Sequence, residues 1–299
     1  MPNLFGSGKN EIRGTYAAVD NEKELARLTI QDRTITAAMG GVLSEQPDST
    51  AFHHVLDAGC GTGGWLIQAA QTYPEMSLVG IDISKRMIEY ARAQAEAHQV
   101  KDRVKFRVMD ALLISTLRSA SFDLVNLRFG VSFLRTWDWP KMLSELLWVA
   151  RPGGVIRVTE TEAIIHSSSP ALTRLFEMFQ SALFRSGHLF TDESAGLIDH
   201  LPRLLSQHGC QQAQTKAHVM EYRAGTNEGE AFYQNMTLVF QTVRPFIQKY
   251  GYAAKDYETI YQQALSEMQQ PDFHATWNIL TAWEEKQRIR NQSDEKISA

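Results

Sequence analysis

Val55-Leu56-Asp57-Ala58-Gly59-Cys60-Gly61-Thr62-Gly63-Gly64-Trp65 decides how the 299-residue chain folds. Apolar residues run into an acid, then a glycine-dense turn, then Trp65-Leu66-Ile67-Gln68-Ala69-Ala70, a helical pattern. Strand, glycine turn and helix in that order open an α/β sheet whose ligands sit at the carboxyl ends of the strands. Glycine permits positive φ and lets a ligand lie against bare backbone. Gly59-x-Gly61-x-x-Gly64 also satisfies the dinucleotide fingerprint, which alone leaves a nicotinamide-dependent reductase open. Asp57 argues against it, because a pyrophosphate over this turn would meet a like charge. A cationic or zwitterionic ligand would be attracted.

Further strand ends follow at regular intervals. They are Val79-Gly80-Ile81-Asp82-Ile83-Ser84, Phe106-Arg107-Val108-Met109-Asp110-Ala111 and Phe122-Asp123-Leu124-Val125-Asn126, with Arg151-Pro152-Gly153-Gly154 as the turn before a fifth strand. Together with Asp57-Ala-Gly-Cys-Gly-Thr-Gly, over about residues 52–161, this set resembles the class I S-adenosylmethionine-dependent methyltransferases. The resemblance implies an α/β fold. Its sheet is Rossmann-like and seven-stranded, mostly parallel with the last strand antiparallel, with helices on both faces and a helical cap. It also implies S-adenosyl-L-methionine as cofactor and S-adenosyl-L-homocysteine as product.

Composition narrows the class. The apolar fraction of 43% supports a sizeable core, and a net charge of −4 offers no basic field for nucleic acid. No stretch reaches the eighteen or more apolar residues of a membrane helix, and the N-terminus lacks a signal-peptide core. Two cysteines, Cys60 and Cys210, argue for a reducing cytoplasmic setting and against a disulfide or zinc framework. The partner expected is a small-molecule methyl acceptor, with no nucleic acid and no membrane, the chain acting as a monomer or homodimer.

The chain divides into a mobile N-terminus (1–14), an N-terminal helical lid (15–46), the methyltransferase core (47–225), a helical cap insertion (226–271) and a closing strand with a charged tail (272–299). Leu25, Leu28, Ile35 and Met39 fall near 3.6-residue spacing, so Asp20 to Met39 reads as a helix stopped by Gly40-Gly41. Helices are expected at about 171–186 and 194–208 and a strand over 214–222. Residues 228–269 read as helical and aromatic. Phe273 to Trp283 alternates as a closing strand, with a helix as the other possibility.

The resemblance assigns the site. Asp82 would accept the two ribose hydroxyls and Ile83 would pack on adenine. Asp110 would accept the adenine amino group, framed by Met109 and Ala111. Gly59, Cys60 and Gly61 would approach the methionine portion, whose ammonium Asp57 would orient directly or through water. Arg128 is a further contact. The run Tyr16…Asp20…Glu24…Arg27-Leu28…Gln31 resembles the leader of a fungal group of methyltransferase-like proteins that includes regulators of secondary metabolism. It marks Tyr16 and Arg33 for the methionine end, though Arg33 reads equally as a solvated helix residue. Glu160 and His166 are candidate bases for a hydroxyl acceptor, each with a structural alternative. Phe129, Phe133 and Glu162 are candidate substrate contacts. No metal site is expected. The function implied is methyl transfer by direct displacement to a small, hydrophobic or aromatic acceptor through O, N or C. A cofactor-binding regulator without turnover shares every one of these residues.

Overall fold

The computed structural model describes residues 16–18, 20–193, 196–207, 213–250 and 256–287. The expected mobile N-terminus, Cys210, Tyr252 and the end of the tail lie outside them.

Helix α1 (Glu22–Ala38) starts at Asn21, whose side chain accepts from the Glu24 amide, and ends before Gly40 and Gly41, both at positive φ. Strand and helix then alternate: β1 (His54–Ala58), α2 (Gly64–Thr72), β2 (Ser77–Asp82), α3 (Lys85–Ala97), β3 (Val104–Val108), β4 (Phe122–Arg128), α4 (Trp139–Val149) and β5 (Ala150–Thr161). Such alternation makes a parallel sheet, because each crossover helix returns the chain to the same edge direction. β1 to β5 are indeed parallel. The Arg151–Gly154 turn belongs to β5, not to a break before it. A register shift between Phe122 and Leu124 of β4 absorbs the extra residues, and Gly153 sits at φ +79°.

The chain continues through β6 (His166–Ser167), α5 (Pro170–Arg185), α6 (Leu201–Gln207), β7 (Gln214–Arg223), α7 (Asn227–Thr242), α8 (Arg244–Lys249), α9 (Tyr257–Glu267) and β8 (His274–Glu285). The sheet order is β3-β2-β1-β4-β5-β8-β6, with β7 also paired to β8, so the sheet has eight strands rather than seven. The extra member is β6, a two-residue bridge to Thr276 and Ala275 that is too short to show periodicity. β8 runs antiparallel to both β5 and β7 and settles the last segment as a strand. It extends to Glu285, and Glu284 is buried within it, so the tail does not fray at that point. The helix expected over 194–208 is shorter, beginning at Leu201.

Among the described residues, those between β7 and β8 form three helices whose aromatic side chains are mostly core. Phe176 of α5 meets Phe240 of α7 edge-on at 5.1 Å, and Tyr222 stacks on Phe232 at 4.2 Å. Ile35 and Met39 of α1 join this same cluster, so α1 packs against the helices over the sheet's carboxyl edge.

Candidate active site

The glycine turn is shaped by what lies behind it. A Cβ on Gly63, at φ +75°, would stand 2.6 Å from the Phe106 ring and 2.9 Å from Ala91. On the open side, a Cβ on Gly61 would find its nearest neighbour, Leu28 Cδ1, only at 3.9 Å. The turn therefore presents bare backbone to a cavity of about 1270 Å³ at the carboxyl ends of β1, β2 and β4.

Asp82, at the end of β2, spans this turn. Its Oδ2 accepts from the Gly61 amide at 2.9 Å and its Oδ1 from the Ser84 amide at 2.8 Å. Burial pushes its carboxyl above the usual range, and those two amides oppose the shift. A carboxylate has about four lone-pair positions, so each oxygen keeps one for a ligand hydroxyl. Ile83, Asp110 and Ala111 line the same wall as expected. Asp110 also caps a short turn, accepting from the Leu112 amide at 2.8 Å. Met109 departs from the expectation. Half-buried, it packs against the core beneath, and Val108 and Leu112 border the cavity on either side of it.

Gly59, Cys60 and Gly61 line the cavity, and burial raises the Cys60 thiol, which makes it a filler rather than a nucleophile. Asp57 does not reach the cavity wall. It is buried and accepts from Asn126 Nδ2 at 2.8 Å, while Asn126 Oδ1 accepts from Arg157 at 2.7 Å and Arg157 pairs with Glu45 at 2.7 Å. Burial raises the Asp57 carboxyl to about 6, against the pull of the Arg128 charge and the Asn126 bond. Of the two ways expected of it, direct contact with a ligand's ammonium is lost and contact through water remains. The case against a pyrophosphate passes to Asp32 of α1, whose carboxylate sits where a Gly64 side chain would be, at the N-terminus of α2. That is the position an anionic ligand would take.

Arg128, at the end of β4, pairs with Asp32 and donates to Thr36 Oγ1 at 3.2 Å. Arg33 points to solvent and does not border the cavity. Its neighbours on the inner face do: Arg27, Leu28, Gln31 and Asp32. Arg27 Nε and Nη2 donate to Glu24 at 2.7 and 2.6 Å, and Tyr16 donates to the same carboxylate. Tyr16 lines the cavity as expected, and burial followed by the Glu24 charge raises its hydroxyl. Arg27 and Gln31 were missed as site residues, although the i, i+3 and i, i+4 spacing of Glu24, Arg27, Leu28 and Gln31 marks one helical face.

Apolar residues make up much of the remaining lining. Phe129 holds a left-handed conformation at φ +56°, and with Phe133 it borders this part. The opposite wall is Phe176, Phe179 and Leu183 of α5, Met236 and Val239 of α7, and Trp277 of β8. None of these could be assigned from sequence, because apolar side chains read alike whether they face core or cavity. Glu162 lies on the wall, just past β5. Glu160 does not. It is fully buried, accepts from the Gly130 amide at 2.6 Å, and is raised to about 8 by burial against its bonds to Val131 and Gly130. It braces the loop after β4, since alternation along β5 turns positions 160 and 162 alike but the loop covers the first. His166 is solvent-exposed outside the cavity, with its Nε2 3.7 Å from Glu162. Among the described residues no His, Cys, Asp and Glu side chains gather as a metal site, and no helix is long and apolar enough to cross a membrane.

A methyltransferase-domain family model matches residues 55–154. Demethylmenaquinone methyltransferase of Deinococcus radiodurans is 32% identical over 166 residues, 56% of this chain and 64% of its own. O-methyltransferase resE of Aspergillus sclerotiorum is 30% identical over 161 residues, 54% and 58% of the two chains. The chain spans about half the length of the curated relatives it matches. Among solved structures, phosphoethanolamine N-methyltransferase 2 of Haemonchus contortus superposes with a TM-score of 0.50 at 20% identity, covering 90% of this chain and 61% of that one. Domain match, strand order and a glycine turn opening on the strand ends agree: residues 55–154 match a methyltransferase domain, and the sheet shares its fold with that solved structure.

Proposed function

We propose that the chain is an S-adenosyl-L-methionine-dependent methyltransferase acting on a small, hydrophobic or aromatic acceptor. One observation carries the reading: a single cavity joins the polar wall of Asp82, Asp110 and the glycine turn to an apolar chamber under α5 and α7. The residues fit the cofactor. Asp82 keeps lone pairs for a diol, Asp110 stands one strand further on for an amino donor, and Gly61 leaves room that a Cβ would fill. When bound, the cofactor supplies an electrophilic methyl on a sulfonium. The chain's own work is to orient and to exclude water. Holding nucleophile and methyl in line is worth about 7–11 kcal/mol, so no strong base is required. Tyr16, Arg27, Gln31 and Arg128 would hold the methionine end, with α1 and the 226–271 helices as lid and cap. Phe129 and Phe133 would flank the acceptor. The division into lid, core, cap and closing strand belongs to this proposal, as do a cytoplasmic location, a monomer or homodimer, and the absence of a nucleic-acid partner.

Calorimetric titration with S-adenosylmethionine, S-adenosylhomocysteine and NADH tests it. Binding of the two adenosyl ligands but not NADH is expected, followed by turnover in a panel of phenols, amines and apolar acceptors. Binding of NADH alone, or methylation of protein or RNA only, would overturn it.

A further inference from the structure

Among the described residues, five cationic side chains line the cavity: Arg27, Lys85, Arg86, Arg128 and Arg135. Four of them have an acid. Arg27 pairs with Glu24, Lys85 with Glu89, Arg86 with Asp20 and Arg128 with Asp32. Arg135 pairs with no carboxylate among the described residues, although it is half-buried. Its Nε is buried without a hydrogen-bond partner. Arg135 stands midway along the loop between β4 and α4. Phe133 at one end lies against the glycine turn, where a Cβ on Gly59 would meet its ring at 3.0 Å. Trp137 at the other lies against Gly187, just past α5, where a Cβ would meet its ring at 2.5 Å. Leu183 and Leu189, on either side of Gly187 in the chain, belong to the apolar lining with Phe179. The loop thus runs from the glycine turn to that lining. Trp137 borders the cavity and is 61% exposed, so this stretch forms the rim. The Arg135 guanidinium carbon lies over its ring, 5.3 Å from the centroid. A ring face holds a guanidinium without using its N–H groups. Asp138, the nearest acid in sequence, accepts from the Arg135 backbone amide at 3.1 Å, which fixes the loop and leaves the side chain unneutralised.

We infer that Arg135 selects the acceptor: it receives the carboxylate of an otherwise apolar, ring-sized acid whose body lies along the apolar lining. This rests on the methyltransferase reading of the same cavity and adds the acceptor's chemical class. The planar fork of an arginine matches a carboxylate in a bidentate, charge-assisted pair. Asp110, Asp138 and Glu162 also line the cavity, so a singly charged acid suits it better than a dianionic phosphate. A half-buried charge without a counter-charge is unfavourable, and a bound carboxylate relieves it. A site built to pair with one polar group discriminates against the analogue that lacks it. Amides, esters and hydrocarbons of the same shape are therefore disfavoured even where they fit. Arg135 holds the acceptor and takes no part in a covalent step.

The probes are 6-hydroxy-2-naphthoic acid, ionised at neutral pH, and its uncharged primary amide of nearly the same shape. Both are titrated into the protein saturated with S-adenosylhomocysteine. The acid is expected to bind at least about tenfold tighter than the amide, as a charge-assisted pair requires. Added salt should weaken the acid and leave the amide unchanged. Arg135→Met, which keeps the length of the side chain, should lose the preference by weakening the acid alone. Unchanged affinity for the amide shows that the cavity itself is intact. Arg135→Lys, which keeps the charge but not the fork, should retain part of the preference. Equal affinity of wild type for the two probes, binding of neither, a preference that survives in Arg135→Met, or equal weakening of both probes in Arg135→Met and Arg135→Lys overturns the inference. Failure of S-adenosylhomocysteine to bind, measured first and separately, defeats the methyltransferase reading and this one with it.

Discussion

Asp82 shows how one side chain serves the fold and the site together. Its two oxygens tie the Gly61 amide to the Ser84 amide, and so hold the glycine turn against the start of α3. Asp82→Ala should lower affinity for S-adenosylhomocysteine by tenfold or more in calorimetry, combining a lost ribose contact with a loosened turn. Asp110→Ala, which frees only a local cap, should weaken binding less. Glu160 makes a prediction of a different kind. Burial raises its carboxyl from about 4.5 to about 8, so the folded protein keeps a proton that the unfolded chain releases. Stability therefore falls as pH rises through that window, by up to about 1.4 kcal/mol per pH unit from this group. Glu160→Gln can still accept from Gly130 and cannot ionise. Urea unfolding at pH 5.5 and pH 8 should show a smaller loss in the variant than in wild type. Equal losses would mean that Glu160 titrates normally. The residues at strand ends were legible because a parallel sheet sends each strand's carboxyl end to one edge. For Asp57, Glu160 and Met109 the sequence left the facing open, because whether a side chain at such an end faces ligand or core depends on the loop folded over it.

At the scale of the element, α1 is fastened to the sheet by charge. Asp32 pairs with Arg128, both side chains nearly buried at 13% and 10% exposure, and Thr36 adds a hydrogen bond. Leaving one member of such a pair buried alone costs about 3–5 kcal/mol, whereas removing both is far milder. Asp32→Ala should thus destabilise by roughly that amount. The double variant Asp32→Ala/Arg128→Met should recover part of it, giving a coupling above about 1 kcal/mol in a denaturation cycle. Additive effects would show that α1 is held by its apolar contacts alone. The helix itself was readable from Asn21 to Gly40, since capping and periodicity are local. Its facing was not. Sequence left Arg33, one position along from Asp32, open between the site and solvent, and a 100° rotation per residue places the former in solvent and the latter at the glycine turn.

At the scale of the molecule, the helices between β7 and β8, with α1 and α5, roof the carboxyl edge of the sheet and share one core. Phe240, nearly fully buried against Phe176, is central to that roof. Phe240→Ala should cost about 3–5 kcal/mol in chemical denaturation. Ligand binding reports on the whole assembly. At a hundredfold excess over its Kd, S-adenosylhomocysteine should add about 2.7 kcal/mol and raise Tm by several degrees, with no such shift from NADH. A flat melting response to the adenosyl ligand would contradict the site as assigned.

The sequence by itself determined the alternation of strand and helix, the glycine turn and the acids at three successive strand ends. Each is a local signal: φ preferences, period, caps and charge at a strand's end. Only the tertiary structure decided which of those acids meets a ligand, which arginine turns inward, that β6 adds an eighth strand and that the aromatic helices enclose a chamber. Those outcomes depend on packing between segments more than a hundred residues apart, as in the pairing of β5 with β8 that brings Asn278 to Glu162. No periodicity within either segment encodes that meeting.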